Sequence, residues 1–215
     1  SCLSRPAASY QARQYCTVFL NISKEESMTA FTTEKIDVEP WFDMELFMGV
    51  SQETRLGGDV MDRFMTLWKN WLPHLTVKGI DTGKIKYLLV ALDESVEQDV
   101  DKAWEGSPSN AFLYNALAQT MCMAAVHAVI PEVQDAGCAP APKPTATLRE
   151  ALEAEGIPYS NDKDPILSRR YAVVTHYPFK GGCEICVLQS NCPKGQGQME
   201  ATSVVLPGYE HPQQM

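Results

Sequence analysis

The chain has 215 residues, of which 45% are hydrophobic and 21% are charged, and its formal net charge is −9 at pH 7. This composition excludes a wholly disordered chain, and the length suits one large domain or a domain with an appended lobe. The acidic charge offers no basic surface to a phosphate backbone, so we expect no nucleic acid among the partners. The most apolar stretch, residues 121–130, is too short to span a bilayer, so we expect no membrane association and a soluble cytoplasmic protein.

The N-terminal third is predicted to consist mainly of extended segments. Residues 15–22 are rich in β-branched and aromatic side chains and are predicted to form a strand, and residues 34–39 a second extended piece. Residues 40–48 alternate roughly between apolar and acidic side chains, which favours a half-buried strand. Asp43 and Glu45 would then share its outer face, where solvated carboxylates are the simplest interpretation.

The middle of the chain predicts helices around one buried strand. Residues 59–72 have apolar side chains at helical spacing, and Pro73 ends that helix. Residues 85–92 form an almost continuous apolar run of strand length, which is typical of a central strand buried on both faces. A capped helix follows from Asp93, and the longest helix is predicted over residues 107–130.

A Pro- and Ala-rich segment then divides the chain. We predict an α/β core in residues 1–133, a linker in residues 134–146, and a C-terminal lobe in residues 147–215. The lobe begins with a short helix, and its predicted strands are residues 170–176 and 201–206. The predicted fold class is therefore α/β or α+β, with a mixed sheet, packed helices and a C-terminal cysteine-rich metal loop.

Three of the seven cysteines, Cys183, Cys186 and Cys192, fall within ten residues. A Cys-x-x-Cys turn places two thiolates on one side of the backbone, and the following five residues can return a third. A cysteine followed by proline also ends the cluster run of bacterial ferredoxins. Zinc sites more often pair two such knuckles, or one knuckle with two histidines. The pattern therefore predicts an iron–sulfur cluster, with [4Fe–4S] as the first choice and structural zinc as the alternative cofactor.

A cubane cluster usually takes four cysteine ligands, so the triplet needs a partner. Cys138 is the preferred fourth ligand, because it lies in a Gly- and Pro-flanked loop where a free thiol would oxidise readily. Cys2 and His176 remain alternatives. A histidine at this position is more often a strand-end residue bonded to a backbone carbonyl than a ligand.

The spacing from His176 to Cys192 resembles the Cys-x6-Cys-x2-Cys-x5-Cys cluster loop of the endonuclease III-like DNA glycosylases, with histidine in place of the first cysteine. The triplet is also similar to the cluster loop of some RecB-type nucleases and to part of the SPASM extension of radical-SAM enzymes. Because unrelated folds share this spacing, the resemblance implies a ligand geometry and no particular reaction.

Other catalytic motifs are not found in the sequence, which contains no Gly-x-Gly-x-x-Gly, Walker, His-Glu-x-x-His or Gly-x-Ser-x-Gly pattern. A thioredoxin-like pair of Cys183 and Cys186 would leave Cys192 unexplained. Whether the protein is an enzyme stays open. The first function hypothesis is a redox or accessory component that serves a larger enzyme system, and therefore has a protein partner. The second is a non-enzymatic interaction module with a structural zinc site.

Overall fold

The structure is a computed structural model that describes residues 31–161 and 165–196. Its strands and helices, in chain order, are β1 (Thr32–Lys35), α1 (Met44–Ser51), α2 (Gly58–Trp71), β2 (Leu75–Asp81), β3 (Lys86–Leu92), α3 (Glu94–Gly106), α4 (Pro108–Val129), α5 (Glu132–Ala136), α6 (Ala146–Ala154) and β4 (Ala172–His176). Short 3-10 helices follow α2 and β4, at Leu72–His74, Cys183–Ile185 and Gln189–Asn191.

The four described strands form one sheet in the order β1-β2-β3-β4. Each described pairing is antiparallel, whereas the sequence predicted a mixed sheet. Antiparallel neighbours need only short connections, and β2 and β3 are joined by a tight turn at Gly83, whose φ is +75°. Helices packed on an antiparallel sheet confirm the α+β alternative of the predicted fold class.

The central strand β3 is buried on both faces, as its continuous apolar sequence predicts. Leu88, Val90 and Leu92 face the larger core, which includes buried residues of α1, α2, α3 and α4. The alternate residues of β3 pack on the opposite face against α6, with Leu148 and Leu152 among their buried neighbours. The period of two along a strand therefore divides the core into two layers around one sheet.

The larger core is built around α4, the longest of the described helices. The predicted Met- and Trp-rich stripe of α2 packs in the same core, through Phe64, Trp68 and Trp71. By length and composition alone α4 could cross a membrane, with a mean hydropathy of 1.2, but half of that window is buried inside the molecule. Burial in the core accounts for its apolar sequence without a bilayer.

Two elements differ from the sequence-based expectation. The predicted strand at residues 40–48 is wrong, because α1 begins at Met44 and the Asp43 carboxylate caps it by accepting the Leu46 amide at 3.0 Å. Asp43 is therefore a helix cap and not half of a carboxylate pair on a strand. The sequence pattern does not predict strand β2, because glycine usually weakens a strand, although Gly79 pairs with Leu88 here. The predicted strands at 15–22 and 201–206 lie outside the described residues.

The C-terminal part of the described chain shares the sheet with the N-terminal part. β4 is hydrogen-bonded to β3, with Val174 opposite Leu89 in the register. Helix α6 covers one face of that sheet. The division into a core of residues 1–133 and a lobe of residues 147–215 concerns independent folding, and it stays a prediction.

Candidate metal centre

The cysteine loop, which we define as residues 177–196, begins directly after β4. Cys183 starts the first 3-10 turn, and the Cys186 amide donates to the Cys183 carbonyl at 3.1 Å. Cys192 follows the second turn, where its amide donates to the Gln189 carbonyl at 3.4 Å. Two consecutive tight turns thus place the three cysteines within one short loop.

Cys138 comes from a different part of the chain, which we call the Cys138 arm (residues 137–141). The arm follows α5, where Gly137 adopts a left-handed conformation with φ +64°. The Pro140 carbonyl accepts a hydrogen bond from the Thr175 hydroxyl of β4 at 3.0 Å. The Ala141 carbonyl accepts the Val187 amide of the cysteine loop at 3.0 Å. These bonds place the arm against both the sheet edge and the loop.

The four predicted ligands, Cys138, Cys183, Cys186 and Cys192, line a single cavity. All four are free thiols, with no disulfide among the cysteines of the described chain. Lys194 also lines this cavity. The structure therefore brings together the complete set of cysteines that the sequence proposed.

Glycine is required at one point of the cavity wall. A Cβ atom built on Gly195 would lie 2.7 Å from the Gln189 carbonyl oxygen, which real Cβ contacts do not allow. The backbone after Cys192 therefore folds back closely on the second 3-10 turn because no side chain intervenes. Gly181, before the first thiol, has φ +134°, a conformation that side-chain-bearing residues rarely adopt.

The electrostatics of the cavity favour a bound cation. Cys138 is exposed as a residue, but the protein atoms around its sulfur partly desolvate the thiol and raise its pKa; the Lys194 ammonium opposes that shift, and the other three thiols add to it. Thiolates in one small space repel each other, so the proton on Cys138 is favoured unless another positive charge replaces it. A metal supplies that charge, and its ligation deprotonates the thiols.

The donor geometry separates a single ion from a cluster. Within residues 31–161 and 165–196, no three His, Cys, Asp or Glu side chains are close enough together to hold one metal ion. Four thiolates on one zinc lie ~3.8 Å apart, because each Zn–S bond is about 2.3 Å and the geometry is tetrahedral. Ligands of a cubane lie farther apart, since each sulfur binds a different iron of the core.

Of the two alternative fourth ligands, His176 and Cys2, the structure describes only His176. His176 ends β4, its ring packs 5.4 Å from the Tyr87 ring between centroids, and it is not among the residues that line the cysteine cavity. Its buried Nδ1 has no hydrogen-bond partner in the described structure, so the backbone-carbonyl interpretation is not met there. Cys2 lies outside the described residues.

A Ser-His-Asp group that the sequence analysis missed lies at the start of α3. The His74 Nδ1 atom is 2.5 Å from Asp93 Oδ2 and 3.3 Å from Ser95 Oγ. In a hydrolase triad the serine and the carboxylate contact opposite ring nitrogens, whereas here both contact the same one. Burial alone would raise the pKa of Asp93, but hydrogen bonds from Ser95 and His74 outweigh it and lower that pKa. We interpret the group as the N-terminal cap of α3.

The chain was compared with protein families, curated proteins and solved structures. No family model matches the chain, and neither curated proteins nor solved structures give a match.

Proposed function

We propose that this protein binds one [4Fe–4S] cluster through Cys138, Cys183, Cys186 and Cys192 and serves as a redox or accessory component of a larger enzyme system. The observation that supports this most is the shared cavity. The thiols come from two segments that are separated in sequence by helix α6 and strand β4, and they line the same cavity. Free cysteines distributed by chance would not converge in this way.

The spacing of the cysteines favours a cluster over zinc. The Cys183-x-x-Cys186 turn, followed by Cys192 and Pro193, is typical of cluster ligands. Zinc sites more often pair two such turns, or one turn with two histidines.

The residues around the cavity support an electron-exchange role. When bound, a cluster of this type accepts and donates single electrons. Cys138 is exposed, and Val187 and Leu188 between two of the ligands are 39% and 40% exposed. One side of the site is therefore close to solvent, where a protein partner can approach.

The test is anaerobic purification or reconstitution followed by iron, sulfide and zinc analysis. We expect about four irons and four sulfides for each chain, and substitution of Cys138, Cys183 or Cys192 by serine should reduce both. Cys122→Ala is the matched control, because Cys122 is buried in α4 with its thiol 3.5 Å from the Tyr171 carbonyl. That variant should retain the wild-type metal content.

Three results would change the proposal. Zinc near one for each chain, without sulfide, would replace it with the structural-zinc interaction module. Full cluster content in Cys138→Ser, together with its loss in Cys2→Ser, would move the fourth ligand to the N-terminus. A cluster with no reversible potential in voltammetry would leave only a structural role, since an electron carrier must cycle between two states.

A further inference from the structure

Lys194 occupies a position that the ligand set alone does not explain. It lies two residues after Cys192 and lines the same cavity as the four thiols. Its ammonium group donates a hydrogen bond to the Ala136 carbonyl at 2.5 Å, across 58 residues of sequence. A methyl group built on Gly137 would be 3.1 Å from Lys194 Nζ, so the glycine leaves the room that this contact uses.

We propose that Lys194 is a positioning and potential-setting residue of the metal centre: it holds the Cys138 arm against the cysteine loop, and it makes reduction of the bound cluster easier. This inference rests on the proposed function, because it assigns a role toward the same cluster.

The positioning part follows from where the bonds to the arm lie. Downstream of Cys138, the arm is held through the carbonyls of Pro140 and Ala141. Upstream of Cys138, Lys194 binds the carbonyl of Ala136, the last residue of α5. A cation at a helix C-terminus also satisfies a carbonyl that lacks a helical partner. With contacts on both sides, the thiol between them has little freedom to leave the cavity.

The potential-setting part follows from charge. Four thiolates make the site anionic, and reduction adds one further negative charge. A nearby ammonium group stabilises the reduced state more than the oxidised state, and a partly dry cavity screens this attraction less than water does.

Positive charge is concentrated at this site although the protein is acidic. The Cys138 arm and the cysteine loop together contain two lysines and one glutamate, a net charge of +1, so the rest of the −9 chain has a net charge of −10. Of these lysines, Lys194 is the one that lines the cavity. Lys180 belongs to the same loop but is not among the lining residues, which makes it a matched control.

The experiment compares wild type, Lys194→Met, Lys194→Arg and Lys180→Met. Redox titration of the anaerobic holoprotein should show Lys194→Met favouring reduction about tenfold less, a decrease of ~59 mV for one electron. Lys194→Arg keeps the charge and should stay closer to wild type, and Lys180→Met should change little. Hydrogen exchange of metal-free protein should show the amides of the Cys138 arm exchanging several-fold faster in Lys194→Met.

An unchanged potential in Lys194→Met, or an equal shift in Lys180→Met, would overturn the charge argument. Unchanged arm exchange in the metal-free Lys194→Met variant would overturn the positioning argument. Absence of iron and sulfide in wild type would refute the proposed function itself, and the exchange measurement would still decide whether Lys194 positions the arm.

Discussion

The hydrogen bond from Thr175 to Pro140 gives the sharpest test of how the sheet supports the metal site. Thr175 is 1% exposed, and its hydroxyl donates to the Pro140 carbonyl at 3.0 Å. Thr175→Val keeps the shape of the side chain and removes only the donor. The perturbation therefore acts on one bond between β4 and the Cys138 arm.

The expected loss of stability follows from the burial of both groups. Pro140 is buried, and in the variant its carbonyl loses the Thr175 partner without gaining access to water. Leaving a buried acceptor unsatisfied costs about 1–3 kcal/mol. For a protein of this size each kcal/mol lowers Tm by roughly 2–4 °C. We expect a decrease of this order in the metal-free protein.

Thr120→Val is the matched control, because Thr120 is also fully buried and its hydroxyl also donates to a carbonyl, that of Ala116 at 2.8 Å. That carbonyl lies four residues earlier in α4 and keeps its helical amide partner, so the control should be close to neutral. Urea unfolding, followed by tryptophan fluorescence with a reductant and a chelator present, measures both variants. Equal stabilities of Thr175→Val and Thr120→Val would refute the claim that this bond anchors the arm.

Four further outcomes are expected. Burial, and secondarily Lys180, lowers the pKa of His176, so the unfolded chain takes up a proton below about pH 6.5 while the folded protein does not. The free energy of unfolding should therefore fall as the pH drops from 6.5 toward the folded pKa. In urea titrations between pH 7.5 and 5.5, His176→Gln should flatten that slope. Asp93→Ala removes the cap of α3 and should cost about 0.5–2 kcal/mol in the same assay; no change would contradict the cap. Burial raises the pKa of Cys122 to about 12, so mass mapping after alkylation should find it unmodified until the protein unfolds. Metal removal should accelerate hydrogen exchange in residues 177–196 but leave the β4 amides protected, and simultaneous loss of both would contradict a metal-independent sheet.

The parts of the fold that the sequence predicted are those with a strong local signal. The buried strand β3 and the helices α2, α3 and α4 have apolar patterns long enough to specify them. The start of α1 was missed because a short alternation of apolar and acidic residues resembles a strand, while the cap at Asp43 decides for a helix. Strand β2 was missed because glycine normally interrupts strands, whereas here Gly79 lies between Glu34 of β1 and Leu88 of β3, two tertiary pairings that local sequence does not encode.

The residues of the candidate site also divide into those with a local sequence signal and those whose role depends on tertiary contacts. The triplet in the cysteine loop is a local pattern, so its spacing was enough to predict it. Cys138 was chosen by chemical argument, and its location beside the triplet depends on bonds from Thr175 and Val187 that sequence spacing does not specify. Lys194 was missed entirely, because one lysine after a cysteine has no distinctive pattern until its contact with Ala136 is known.

The position of β4 relates these observations to each other. Its backbone is paired with β3, its Thr175 hydroxyl binds the Cys138 arm, and its C-terminal end leads into the cysteine loop. A single strand in a buried sheet therefore fixes both segments that supply thiols, before any metal is present. Because ordering flexible segments consumes binding free energy, two segments that are already held near each other should bind metal more tightly than a free loop. For the proposed cluster, the same rigidity would favour electron exchange, since a site that changes shape little between two charge states has less structural reorganisation to overcome.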